Sequence, residues 1–381
     1  MHDFTIPLGP QNPMMKEPMC LRVSLNGNYI KDINMRLGYV HRGVELLFEN
    51  KPVNKVLYMS EHICGICSMA HSLCFTLAIE NMLDFVPLKK VSYIRMIISE
   101  LERIHSHLLW WGFAMHELGY DSLFNYAMRE REYILECFER FTGNRVHHAI
   151  NKIGSTRYSF SDLDKIFMLD RLKKVEEKLP FYLKTTKSNK VIRSRLENVA
   201  ILSRKEAKKL GVVGPLARAS GIKHDIRKDD PYCAYEDLDF DLIYDTEEDA
   251  MARALVRLRE VQESISMLRQ ICKTIPPGSV PKEMPTRIKE GEAFARVEAP
   301  RGENFHYYIV KDYKIIRGKV KTPTLVNIQA LRPMLIGGEV GDIPVNVSTI
   351  DPCFGCMERV MVVKEGKKEV LTEDEFRSKY C

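Results

Sequence analysis

The residues best equipped for chemistry are two cysteine pairs, Cys64 and Cys67 in Glu61-His-Ile-Cys-Gly-Ile-Cys, and Cys353 and Cys356 in Asp351-Pro-Cys-Phe-Gly-Cys. Each pair is C-x-x-C, the spacing at which neighbouring thiolates grip one soft metal site. Two such pairs most often make a structural zinc site, and on spacing alone that reading leads. Zinc ribbons, however, set their pairs roughly 15–20 residues apart. Here nearly the whole 381-residue chain lies between Cys67 and Cys353. A metal that only organises a short segment has no use for so long a loop. If the pairs meet, the fold closes around the metal, and the metal belongs to the function.

The local setting of the first pair points the same way. Ser68 to Met82 reads as a helix, placing the thiolates near its N-terminus, where the dipole and free amides favour negative sulfur. His71 would lie one turn along on the same face, able to donate a hydrogen bond to a metal-bound sulfur and tune it. Read without relatives, it is equally a helix-surface histidine.

Positioning these residues is the task of the surrounding elements. The first fifty residues read as β structure, with Leu21-Arg-Val-Ser-Leu and Tyr29 to Met35 alternating on either side of an Asn26-Gly27 turn. From about Cys64 to Leu210 the period becomes helical, most clearly over Asp121 to Phe141 and Asp162 to Leu183. A loop-rich passage from Gly211 to Asp241 follows. Thr246-Glu-Glu-Asp249 then reads as a capping box opening a long helix that Pro276-Pro277 stops. Ala293 to Val297 and Phe305 to Val320 look like short strands. The fold class expected is α+β, a central long-helix bundle flanked by small β-sheets from both terminal regions.

Composition sets the outer limits. The chain is 45% hydrophobic and 28% charged, ordinary for a globular protein with a sizeable core. The most apolar stretch, Leu108 to Met115, is too short to span a bilayer. No basic-then-apolar leader opens the sequence, so a cytoplasmic protein is expected, and the ten cysteines do not read as secreted disulfides. Cys20, Cys74, Cys137, Cys233 and Cys272 are expected to be buried reduced thiols. A formal charge of +6, with its Lys and Arg interleaved with Glu between Lys173 and Lys209, argues against nucleic-acid binding.

Several separated segments together resemble the large subunit of [NiFe] hydrogenases, closest to the membrane-associated, energy-converting group related to respiratory complex I. They are Gly9-Pro-Gln-Asn-Pro-Met-Met-Lys-Glu-Pro18, His41-Arg-Gly-Val-Glu45, Glu61 to His71, Gly214-Pro-Leu-Ala-Arg-Ala-Ser-Gly-Ile-Lys-His-Asp-Ile-Arg227, Pro231-Tyr-Cys-Ala-Tyr, Glu298-Ala-Pro-Arg-Gly302 and Asp351 to Arg359. The two cysteine motifs are highly specific. The resemblance implies a nickel held by Cys64, Cys67, Cys353 and Cys356. It also implies an iron carrying CO and cyanide, bridged through Cys67 and Cys356. Cys64 and Cys353 would then be the terminal ligands.

By the same matching, Arg301 overhangs the open coordination site and Asp351 pairs with it or fixes the second loop. Because Pro352 follows, Asp351 is expected to be extended. Glu17 matches the carboxylate that takes protons from a terminal cysteine, and His62 helps organise the first motif. In many relatives a glutamate at the position of Glu45 reaches a magnesium or iron ion near a C-terminal histidine. Here that position is Arg359, which cannot ligate a metal. A Glu45–Arg359 salt bridge is therefore expected in place of magnesium. Asn12 stands where relatives usually carry histidine, which disfavours a quinone role.

The resemblance further implies a single hydrogenase domain over 1–359, built from a β region (1–60), a helical bundle (61–290) and a C-terminal β region (291–359). Its implied partners are a small iron–sulfur subunit, membrane subunits of the same complex and, through them, ferredoxin. The chain itself lacks cysteine pairs for a [4Fe–4S] wire. Its place would be peripheral to the membrane on the cytoplasmic side. Val360 to Cys381, 381 − 359 = 22 residues, is either a tail removed by a maturation peptidase or a permanent hairpin and helix. Methanogen-type and formate hydrogenlyase-type relatives both fit. A metal-free scaffold or electron-transfer subunit like that of complex I is the competing reading, against which all four cysteines speak.

Overall fold

The computed structural model describes residues 3–12, 17–281, 289–357 and parts of 362–379. Its class is α+β. Three antiparallel strands come first: β1 (Asp3–Leu8), β2 (Cys20–Asn26) and β3 (Tyr29–Arg36). Gly27 takes φ 61° in the tight turn between β2 and β3, the left-handed conformation such a turn requires. Leu21, Val23 and Leu25 alternate inward along β2.

Two short helices follow, α1 (Val44–Phe48) and α2 (Val53–Glu61), on either side of the two-residue strand β4 (Lys51–Pro52). The motif helix α3 spans Ser68–Met82. Then come the long α4 (Lys89–Glu117) and α5 (Asp121–Thr142), which ends at left-handed Gly143. A two-residue hairpin of β5 (Asn151–Lys152) and β6 (Ser155–Thr156) separates them from α6 (Asp162–Glu176) and α7 (Leu179–Ser188). The single helix expected over Asp162–Leu183 is thus two, because Pro180 in the first turn of α7 has no N–H to continue the first ladder.

Four short helices, α8 (Lys190–Leu196), α9 (Arg204–Leu210), α10 (Gly214–Arg218) and α11 (Ile226–Asp229), lead into α12 (Ala250–Thr274). Asp249, not Thr246, caps α12, accepting from the Ala252 amide at 2.8 Å. Its other oxygen accepts from the Asn198 amide at 2.9 Å, which ties the cap to the end of α8. The strands β7 (Gly291–Ala299), β8 (Gly302–Lys311) and β9 (Lys314–Lys321) form an antiparallel sheet in the order β4-β9-β8-β7. Three more helices, α13 (Pro323–Asn327), α14 (Leu331–Leu335) and α15 (Ile343–Ile350), precede the second cysteine motif. A last hairpin pairs β10 (Val362–Lys364) with β11 (Lys367–Glu369).

One core joins these layers. α4 packs between α5 and α12, and α3 lies on β7. Buried apolar side chains run continuously from Met19 to Met357. Tyr29 in β3 bridges Glu339, and Ile30 exchanges hydrogen bonds with Gly337 and Gly338, so the first sheet is sewn to the C-terminal region. Among the described residues no helix is long and apolar enough to cross a membrane. All nine described cysteines are unpaired thiols; Cys74 and Cys137 are buried as expected, whereas Cys20, Cys233 and Cys272 are only partly so.

Candidate metal centre

The loop before α3 and the loop after α15 bring their sulfurs together. Cys64 Sγ lies 3.4 Å from Cys353 Sγ, Cys67 Sγ 3.7 Å from Cys356 Sγ, and Cys353 Sγ 3.1 Å from Cys356 Sγ. All four residues are buried. Three of them, Cys64, Cys67 and Cys356, already present sulfurs within 4.8 Å of one another. Four soft donors buried together suit a thiophilic transition metal and fit the group the sequence resemblance implies. The thiols share their protons unequally. Hydrogen bonds from Cys353, Cys356 and Cys67 hold Cys64 well below the ordinary thiol range. Hydrogen bonds with Cys353 above all push Cys67 and Cys356 up, and Cys353, despite the opposing hydrogen bond from Cys356, is raised by Cys64 and by burial.

The amides near the first pair are divided differently from the sequence expectation. Ile66 and Cys67 N–H donate to Cys64 Sγ at 3.3 and 3.4 Å. The first-turn amides of α3, Met69 and Ala70, are instead taken by the Glu102 carboxylate at 2.7 and 3.1 Å. Cys67 itself caps nothing with its side chain. A carboxylate reaching over from α4 therefore fixes the start of the motif helix.

Arg42 joins the two cysteine loops. Its guanidinium donates to the carbonyls of His62 (3.1 Å) and Ile63 (2.6 Å) before the first pair, and to Gly355 O (2.7 Å) inside the second. Cys353 N donates to Thr324 Oγ1 at 3.0 Å, anchoring the second loop to α13. Glu17 lies against this loop: Oε2 accepts the amides of Phe354 and, at 3.0 Å, Gly355. Its Oε1 stands 3.6 Å from Cys353 Sγ. Burial raises the Glu17 pKa, while the Gly355 amide opposes the shift.

Arg301 is buried and fully engaged. Nε donates to Asp351 O (2.8 Å), Nη2 to Asp351 Oδ1 (2.8 Å) and Nη1 to Ser106 Oγ (3.0 Å). Burial opposes its charge, but Asp351 and the cysteine sulfurs more than offset this and raise its pKa. Its loop is packed without slack. Arg103 donates to the carbonyls of Glu298 and Ala299, and Asn327 bridges Arg301 O to Val213. Gly214 sits so close that an added Cβ would be 2.3 Å from Arg301 O. The Gly214–Arg227 motif is thus the seat of the Arg301 loop.

Asp351 departs from expectation. It is left-handed, φ 57° and ψ 53°, and closes α15. A non-glycine residue there costs about 1–3 kcal/mol, and Pro352 disfavours it further. Charge-assisted hydrogen bonds to Arg301, each worth about 1.5–3 kcal/mol, outweigh that cost, so tertiary pairing overrules local preference.

His71 is buried rather than on a helix surface. Its Nδ1 lies 3.0 Å from His306 Nε2, and His306 Nδ1 lies 2.8 Å from Tyr308 OH. Burial lowers His71 to about 4 and His306 well below the usual imidazole range, so both rings are neutral. In the tautomer in which Tyr308 donates to His306, the His71 proton stays on Nε2 for a further acceptor. His62 Nδ1 donates to Tyr58 O (2.8 Å), and the ring stacks on His147, centroids 4.2 Å apart. Glu45 accepts from Lys319 Nζ (3.1 Å) and Val320 N (2.9 Å); its expected partner Arg359 lies outside the described residues.

Fold and site together define a protein that joins two distant C-x-x-C loops at one buried thiol cluster. The family described as respiratory-chain NADH dehydrogenase, 49 Kd subunit, matches residues 117–288 and 282–359. Nickel-dependent hydrogenase matches residues 42–131. The chain is 36% identical to the membrane-bound hydrogenase subunit alpha of Pyrococcus furiosus, covering 97% of this chain and 91% of that one. It is 33% identical to the carbon monoxide-induced hydrogenase of Rhodospirillum rubrum, covering 94% and 100%. Identity to one component of the F(420)H(2) dehydrogenase of Methanosarcina mazei is 35%, covering 94% and 98%. The chain belongs to the family shared by [NiFe] hydrogenase large subunits and the 49 kDa subunit of complex I.

Proposed function

We propose that this chain is the catalytic subunit of an energy-converting [NiFe] hydrogenase. The observation that carries the proposal is the meeting of Cys64, Cys67, Cys353 and Cys356 in one buried cluster, with Glu17 at Cys353 and Arg301 held nearby. Cys64, Cys67, Cys353 and Cys356 would hold the nickel, and Cys67 and Cys356 also the iron with its CO and cyanide; the pair would supply the heterolytic splitting and formation of H2.

The residues around it handle the proton. Glu17 Oε1 faces Cys353 Sγ, within one short transfer, and its elevated pKa brings it toward the working pH. The two amides on Oε2 hold the carboxylate in place. Arg301, its fork fixed by Asp351 and Ser106, presents a stationary positive charge beside the sulfurs, where H2 is positioned. His71, whose Nδ1 faces His306, would donate its remaining ring proton toward a metal-bound cysteine sulfur and tune it. Electrons leave through a separate small iron–sulfur subunit, with ferredoxin as the distal partner. The likeness to a membrane-bound hydrogenase supports peripheral attachment through membrane subunits.

A second reading is a complex I-type subunit without a metal, favoured by the breadth of the 49 Kd subunit match. Metal analysis and infrared spectroscopy of the purified complex separate the two. Nickel and iron near one each, with CO and cyanide bands that vanish in Cys64→Ser, support the enzyme. Zinc alone, or no metal, rejects it.

A further inference from the structure

Helix α15 ends immediately before Asp351, and the last carbonyls of a helix have no partner within it. Side chains from the two longest helices supply them. Trp110 Nε1, on α4, donates to Ser348 O at 2.7 Å. Arg257 Nη2, on α12, donates to Thr349 O at 3.2 Å. The Arg257 guanidinium also lies over the Trp110 ring, 4.3 Å from its centroid. One turn earlier, Arg253 donates to Thr349 Oγ1 at 3.3 Å and accepts Arg257 Nη1 on its carbonyl at 3.2 Å. The next backbone carbonyl but one, that of Asp351, is the one that receives Arg301.

Arg257 is buried, yet the hydrogen bonds it donates go only to carbonyl oxygens. The Asp351 and Glu260 carboxylates lie near enough to act on its charge but accept no hydrogen bond from it. A buried guanidinium so placed is a poor way to stabilise a fold; an apolar side chain of similar volume would do as well or better. The arrangement makes sense if what matters is the placement of the turn. We propose that Trp110 and Arg257 are positioning residues. They hold the Ser348–Asp351 turn and, through the two Asp351 oxygens, set where the Arg301 guanidinium stands. The effect on turnover rests on the proposed hydrogenase function; the effect on the turn does not.

The test uses the assembled complex carrying Trp110→Phe, Arg257→Met or Arg257→Lys. Amide hydrogen exchange at 351 and 353–356 should quicken at least about tenfold in the first two, given a lost anchor worth roughly 1.5 kcal/mol. Arg257→Lys, which keeps a donor, should recover part of the protection. Unchanged exchange in Trp110→Phe and Arg257→Met overturns the clamp, whether or not the complex holds nickel. With nickel content retained, Arg257→Met should lower kcat roughly ten- to a hundredfold through misplacement. In an Arg301→Lys background the same change should cost little, since both act through one guanidinium. Fully additive losses overturn the route through Arg301. A wild-type complex without nickel sinks the hydrogenase reading instead, and the exchange measurement still decides the clamp.

Discussion

The proton role proposed for Glu17 rests on its burial. A surface carboxylate would be ionised at neutral pH and a poor carrier, whereas partial desolvation raises its pKa within reach of Cys353. Glu17→Gln keeps an acceptor for the Phe354 and Gly355 amides but cannot carry the proton. It should spare hydrogen binding and block H/D exchange with solvent; normal exchange would remove Glu17 from the path. Arg301→Lys should retain the metals yet slow hydrogen activation roughly a hundredfold, because a flexible ammonium cannot reproduce the three-point fork. Full turnover in that variant would end the role assigned to Arg301. At this scale spacing alone singled out the four cysteines, which the fold brings together, whereas Glu17 and Arg301 were marked only by the family resemblance. Arg42, Glu102, Ser106 and His306 escaped it. Glu102 meets Met69 across 33 positions and His306 meets His71 across 235, partnerships made by tertiary approach alone.

Among the elements, the motif helix and the Arg301 loop depend on neighbours far away in sequence. α3 is capped from α4, so Glu102→Ala should leave two first-turn amides unmet and cost about 1–3 kcal/mol. A lower melting temperature with loosened α3 amides would be the sign, and an unchanged melt would refute the cap. Gly214 is left-handed at φ 68° and its Cβ position is filled by backbone, not by a side chain that could turn away. Gly214→Ala should therefore move the Arg301 loop and lower both stability and metal loading; wild-type nickel content would count against this. Periodicity marked α3 and α5 closely. It missed the break between α6 and α7, where Leu179-Pro180 restarts a ladder, and it chose Thr246 over Asp249 because both fit a capping pattern. The Ala252 amide, which Asp249 accepts, decides between them, and the Asn198 amide on its other oxygen holds it there.

Across the whole molecule, a buried ionic web ties helices to strands. His107 Nε2 meets Glu260 at 2.8 Å, Glu260 meets Arg218 at 2.8 Å, and Arg218 meets Glu298 at 2.8 Å. Arg227 joins Asp225 to Glu100 in the same interior. Burial lowers His107 from 6.5 to about 4; against its own burial, Glu260 is drawn by Arg218 and His107 from 4.5 to about 2. Both shifts act in one direction. Between about pH 6.5 and 4 the unfolded chain takes up the His107 proton that the folded chain refuses, and between about 4.5 and 2 the same holds for Glu260. Stability contributed by these groups is full above 6.5 and falls on acidification. Melting temperatures of the complex should trace this, and His107→Gln, which keeps a donor but cannot titrate there, should flatten the slope between pH 6.5 and 4. An unaltered slope would exclude His107 as its source.

Half of the sulfur donors precede residue 68 and half follow residue 352. A chain nicked once in an exposed loop of the helical region would leave two fragments, each with one cysteine pair. Neither could assemble the cluster alone. Retention of the proposed nickel, expected to be independent of dilution in the intact polypeptide, would then become a matter of fragment concentration, because an intramolecular encounter would have been turned into an intermolecular one.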